Sequence, residues 1–199
     1  MGHMKVDGKD AAQAVREPDA QSPAGGVSSS VTDLTAWLKM LLADGQVDGR
    51  QLIPAEALLP AISPQSVSSP PTGPDARAGF YGFGFNVGTS PAGRVTLSHS
   101  GAFSLGAATN FVAIPSADVE IAALTNAAPV GVPETLTAEF ADLVQFGEIR
   151  EDWTALYKEK FSKFDAPEGS ISKATFTGNT VVLESFDTDH LGTFTRSAP

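Results

Sequence analysis

Between residues 80 and 126 the chain leaves room for little except an antiparallel sheet. Residues 94–99, 106–114 and 119–126 each read as a strand, and short turns join them, Ile114-Pro115-Ser116-Ala117-Asp118 among them. A parallel sheet would alternate strands with helices, whereas a meander of this kind places the chain in the α+β class. Just ahead, Phe80-Tyr81-Gly82-Phe83-Gly84-Phe85-Asn86-Val87 alternates aromatics with glycine. That is the pattern of a strand packed closely against other backbone, and it predicts one more strand over 80–87.

Helical patterns flank the sheet. Ser30 can cap a helix whose third position is Asp33, and Val31, Leu34, Trp37, Leu38, Leu41 and Leu42 keep to one face with Gly45 just beyond. Val47-Asp48-Gly49-Arg50 reads as a turn, and residues 54–59 as a short helix with Pro54 in its first turn. Pro64, Pro70, Pro71 and Pro74 make residues 63–79 an irregular loop. Pro133 opens a helix that carries Leu136, Phe140, Leu143 and Val144 on one side, and residues 153–161 form another. From 170 onward short strands are expected around a turn at Thr177-Gly178-Asn179, with Phe176, Val181, Leu183, Phe186 and Phe194 as apolar positions. Residues 1–26 are polar and without a sustained period, a tail or an extended piece laid over a domain. Met1-Gly2-His3-Met4 reads as a scar or the natural start, and His3 is expected to be disordered. The architecture implied is an antiparallel β-sheet flanked by helices, with a short C-terminal β appendage.

Composition narrows the function. The net charge is −10 and the pI about 4.6, with no block of Lys or Arg, so nucleic acid and anionic membrane are excluded as partners. The chain has no cysteine, which removes disulfides, thiolate nucleophiles and Cys-based zinc sites. Three scattered His do not suggest a metal site, and Asp187-Thr188-Asp189 is too short for a calcium loop; His190 beside it is read as a turn residue. No cofactor is called for. No apolar stretch reaches membrane-spanning length and no signal peptide is visible.

Three blocks carry a resemblance. Pro23-Ala24-Gly25-Gly26-Val27-Ser28-Ser29-Ser30 leading into Asp33-Leu34 and Trp37-Leu38 is the first. Tyr81-Gly82-Phe83-Gly84-Phe85 is the second, and His99-Ser100-Gly101-Ala102 with the strands ending at Leu124-Thr125-Asn126 is the third. In order and spacing, over residues 20–146, they resemble the serine hydrolases of the β-lactamase and penicillin-binding-protein type, which include class C β-lactamases, D-amino-acid peptidases and esterases. A further stretch resembles the last strands of a small β domain often appended to such hydrolases. It comprises Ala166-Pro167-Glu168-Gly169-Ser170, Val181-Val182-Leu183-Glu184 and Leu191-Gly192-Thr193-Phe194-Thr195. The resemblance divides the chain into a polar N-terminal segment (1–26), the C-terminal half of a β-lactamase-like domain (27–150), and a helix with a partial small β domain (151–199).

By the resemblance, His99-Ser100-Gly101 is the family's third motif, commonly Lys-Thr-Gly. It implies that the strand edge faces the acyl substrate, that the Ala102 N–H is one of two oxyanion donors, that Ser100 bonds a polar group of the substrate, and that Gly101 permits close approach. His99 replaces a permanent cation with a side chain mostly neutral at pH 7, which leans away from a lactamase and toward an esterase or peptidase. The family's nucleophile lies in Ser-x-x-Lys at a helix start, and a Tyr-x-Asn or Ser-x-Asn motif transfers the proton. Tyr81 and Tyr157 are not followed by Asn at the second position. Ser170-Ile171-Ser172-Lys173 has the spacing but sits in a strand-like pattern, where positions three apart face opposite sides. The chain is therefore expected to be a catalytically incomplete back half, whose full-length parent would hydrolyse an ester, peptide or lactam through an acyl-enzyme and would suit a periplasmic or secreted location. Its rival is a non-catalytic binding or assembly module on a hydrolase scaffold. A partial β domain leaves open edges, implying a homodimer or a complementing N-terminal half as partner.

Overall fold

A computed structural model of the chain describes residues 2–6, 9–14, 19, 22–103, 106–162, 174–177, 180–183 and 194–195. The polar N-terminal stretch is more structured than its composition suggests. Gly2–Val6 (β1) pairs antiparallel with Lys9–Ala14 (β2), and Ser22–Gly25 (α1) makes one helical turn. His3, expected to be disordered, is half-buried, and its backbone N–H donates to the Asn126 carbonyl at 2.7 Å. Gly106 permits that approach: its φ is +93°, and a Cβ there would stand 2.4 Å from the His3 nitrogen.

Val31–Leu42 (α2) begins as its sequence predicts, with the Ser30 hydroxyl accepting from the Asp33 N–H at 3.1 Å. Gln46–Val47 (β3) and Arg50–Gln51 (β4) close over Asp48 and Gly49, both at positive φ, the geometry of a type I′ hairpin. Ala55–Ala61 (α3) follows with Pro54 at its N-cap.

The main sheet has six antiparallel strands in the order β10-β9-β8-β7-β6-β5. They are Ser66–Ser69 (β5), Gly79–Tyr81 (β6), Asn86–Thr89 (β7), Val95–Phe103 (β8), Ala107–Ile114 (β9) and Val119–Thr125 (β10). Two expectations change here. Part of the Pro-rich loop, residues 66–69, pairs with β6 as an edge strand. The aromatic–glycine run is two strands and a turn, because its glycines are spent on the turn. Gly82 N–H donates to the Phe85 carbonyl at 2.8 Å, Gly84 has φ +89°, and a Cβ on Gly82 would lie 2.0 Å from the Ala61 carbonyl oxygen.

The two faces of this sheet differ in kind. Leu97, Val87, Phe111 and Ala113 meet Leu38 and Leu41 of α2 and Leu58 of α3 in an apolar core. Trp37 stacks on Phe85 at 5.6 Å between centroids and meets Phe111 edge-on. The other face presents Asn86, Ser98, Ser100 and Asn110 toward Val132–Phe146 (α4). Trp153–Phe161 (α5), a helix as the sequence predicts, packs beside α4.

The helix α4 is turned the other way from the expectation. Leu136, Leu143 and Val144 are exposed, while Glu134, Thr137 and Asp142 are buried. The reason lies in the sheet: the hydroxyls and amides of Ser98, Ser100 and Asn110, set among Val112 and Ala108, are matched by hydrogen-bonding side chains, not by leucines. Further along, Ala174–Thr177 (β11), Thr180–Leu183 (β12) and Phe194–Thr195 (β13) form a three-stranded antiparallel sheet, in line with the expected β appendage.

Candidate active site

The site follows from unequal strand lengths. The strand β7 pairs with β8 from Thr89↔Val95 to Asn86↔Ser98 and stops there. On the other side, β9 stays paired with β8 through Phe103↔Ala107. Residues 99–102 are thus held in extended form by β9, and no strand is registered against them on the β7 side among the described residues. Every second N–H and C=O along that overhang points to an open edge.

All four third-motif residues lie on the overhang, but their side chains do not converge. His99 pairs with Phe111 and shares its face, the one that α2 covers. Its Nε2 is 3.0 Å from the Tyr81 hydroxyl, and the ring is half-buried. Ser100 points the opposite way, as strand alternation demands. Its hydroxyl donates to Glu134 Oε1 at 2.5 Å behind the sheet. Gly101 returns to the His99 face, where a Cβ would meet Thr109 Oγ1 at 2.7 Å, so the strand pair admits no side chain there. Ala102 is exposed and pairs with Ala108. An extended edge with a nitrogen base beside it can align a carbonyl substrate by backbone hydrogen bonds and exchange a proton with it.

Behind β8 lies a second feature that sequence reasoning missed. Ser98, Ser100, Asn110, Glu134, Thr137 and Tyr157 help line a cavity of about 260 Å³ between the sheet, α4 and α5. Burial, and then the negative charge of Glu134, push the Tyr157 phenol above its ordinary 10.0. Glu134 follows Pro133 and reads in sequence as an ordinary acidic first-turn residue, so nothing announced it. Tyr81 as a partner of His99 was equally silent, since the two are 18 positions apart. No group of three or more His, Cys, Asp or Glu able to hold a metal occurs among the described residues. No described helix is long and apolar enough to cross a membrane. Ser170 and Lys173, like Asp187, Thr188, Asp189 and His190, lie outside the described residues.

Comparison with known proteins gives matches of two kinds. The beta-lactamase family model matches residues 1–146. Among solved structures, the octameric penicillin-binding protein homologue from Pyrococcus abyssi superposes with a TM-score of 0.55 at 20% identity, over 98% of this chain and 42% of that one. That likeness is one of fold, and the chain spans under half the length of its structural relative. No curated protein matches the sequence.

Proposed function

The chain belongs to the beta-lactamase family, and from that premise we propose that it carries the third-motif wall of a serine hydrolase site without the nucleophile. The overhang of β8 is the observation that carries this reading: residues 99–102 offer an open, extended edge where an acyl substrate could pair. In it His99 stands beside the open edge, Gly101 keeps the edge thin, and Ala102 donates its N–H to the developing oxyanion. Such a donor contributes about 3 kcal/mol of barrier lowering when it is prepositioned. Ser100 takes part through its backbone, since Glu134 holds its hydroxyl.

In the complete hydrolase a serine attacks an ester or amide carbonyl, the alcohol or amine leaves, and water releases the acyl group. An imidazole in place of a permanent cation at the third motif favours esters or peptides over an anionic lactam. The sequence supplies neither a Tyr-x-Asn motif nor a Ser-x-x-Lys at a helix start, so this chain alone is catalytically silent. Hydrolysis of p-nitrophenyl butyrate by the purified chain tests the reading. The expected result is no release above buffer, identical for wild type and His99→Ala. Turnover that disappears in His99→Ala would mean a nucleophile within this chain and would end the proposal.

A further inference from the structure

Glu134 is 5% exposed, and only one of its two carboxylate oxygens has a partner. Oε1 accepts from Ser100, whereas Oε2 is buried with no hydrogen-bond partner among the described residues. A buried acceptor left unpaired costs free energy, and native structures rarely leave one so. This oxygen belongs to a residue lining the cavity between β8, β9, α4 and α5.

Three of the donors in the lining are committed elsewhere. Ser100 serves Oε1, Asn110 Nδ2 donates to Thr137 Oγ1 at 2.5 Å, and Thr137 donates to the Glu134 carbonyl at 3.0 Å. Beside the buried Glu134 carboxylate, the lining offers an occupant the Ser98 hydroxyl, the side-chain amides of Asn86 and Asn110 and the Tyr157 phenol. Val112, Ala138 and Ala141 supply an apolar wall beside them.

We propose that this cavity binds a small molecule through a primary ammonium group, seated on Glu134 Oε2 with its carbon chain along Val112, Ala138 and Ala141. An ammonium has three donors and one positive charge, matching a lone carboxylate set among neutral acceptors. A divalent metal would need more anionic ligands than the single carboxylate lining this cavity. The charge of Glu134 is also felt at Tyr157, whose phenol it helps to push up. Lys160 lines the same cavity, but its Nζ lies 5.8 Å from the centroid of the Tyr157 ring and makes no ion pair with Glu134. The site is distinct from the His99 face and does not rest on the hydrolase reading.

Titration with n-butylammonium chloride, followed by amide NMR against matched sodium chloride, tests the proposal. Saturable shifts are expected at Ser100, Asn110, Thr137 and Tyr157, with affinity at least roughly tenfold weaker in Glu134→Gln. Equal affinity in Glu134→Gln, or shifts no larger than those with sodium chloride, would overturn it and mean a water-filled cavity. Should Glu134→Gln not fold, the wild-type shift map decides: perturbations centred away from those four residues refute the site. A response confined to Lys160→Met would mean that the protein's own lysine takes the place, and would also refute a free ligand.

Discussion

Tyr157 is subject to two influences that act in the same direction. Burial among α4, α5 and the sheet disfavours the phenolate, and the Glu134 carboxylate repels it further. The folded protein therefore holds the phenolic proton above the ordinary value of 10.0, while the unfolded chain releases it near that value. As pH rises past 10 the unfolded state binds fewer protons than the native state, so stability falls until the native phenol ionises as well. Below 10 the contribution is fully present. Urea midpoints between pH 9 and 11 should thus drop more steeply for wild type than for Tyr157→Phe, which has nothing to titrate there. Parallel curves would show that Tyr157 is solvated. At the same scale, the candidate site was half legible. His99, Ser100, Gly101 and Ala102 are contiguous, so the motif placed them on one strand. Which face each side chain takes follows from alternation alone, and it separates Ser100 from His99. What Ser100 meets is set by Glu134, 34 residues away, and no local pattern encodes that.

Among the elements, α5 is tied to α4 chiefly by the buried carboxylate of Asp142, with Thr135 Oγ1 also donating to the Trp153 carbonyl at 3.4 Å. Asp142 Oδ2 accepts from the Trp153 indole N–H at 2.7 Å and from the Arg150 backbone N–H at 3.0 Å. Asp142→Ala leaves both part-buried donors without this acceptor, a loss of about 1 kcal/mol. The α5 end should loosen first, so Trp153 emission is expected to shift to the red at denaturant concentrations where Trp37, stacked on Phe85, still reports a native core. Unchanged emission and midpoint would mean that packing of Tyr157 against Gly131 suffices to dock α5. The elements themselves were read well where period and cap agree, as in α2, and where short turns bound apolar runs, as in the strands β8 to β10. The reading failed where glycine carries two meanings: in residues 80–87 it marks a turn, not a strand packed on backbone. It failed in α4 for a different reason. Amphipathic pattern says which side is apolar but presumes that the apolar side faces inward, and here the partner surface is polar.

That polar partner surface makes the molecule unequal on its two sides. Apolar burial is concentrated between the sheet and α2 with α3, where Leu38, Leu97 and Ala113 are at most 1% exposed. At about 25 cal/mol per Å² of apolar surface, such burial dominates local stability. The α4 side combines the apolar Ala108, Val112 and Ile114 of β9 with a few hydrogen bonds whose net worth is about 1 kcal/mol each, while Leu136, Leu143 and Val144 of α4 remain exposed. Opening α4 and α5 away from the sheet therefore exposes less apolar surface than opening α2, which dismantles the core. Native-state hydrogen exchange should separate the two, with the α4 and α5 amides exchanging through a partial opening of lower free energy and shallower urea dependence than those of β9 and α2. Exchange of all four elements through a single global opening would show that the polar face is coupled as tightly as the apolar one. The difference bears on β8, which lies between the two sides. Its His99 face rests on the rigid core, and its Ser100 face on the part that opens first. Loss of the Glu134–Ser100 bond during that opening would free the hydroxyl of Ser100 while β9 still holds residues 99–102 extended.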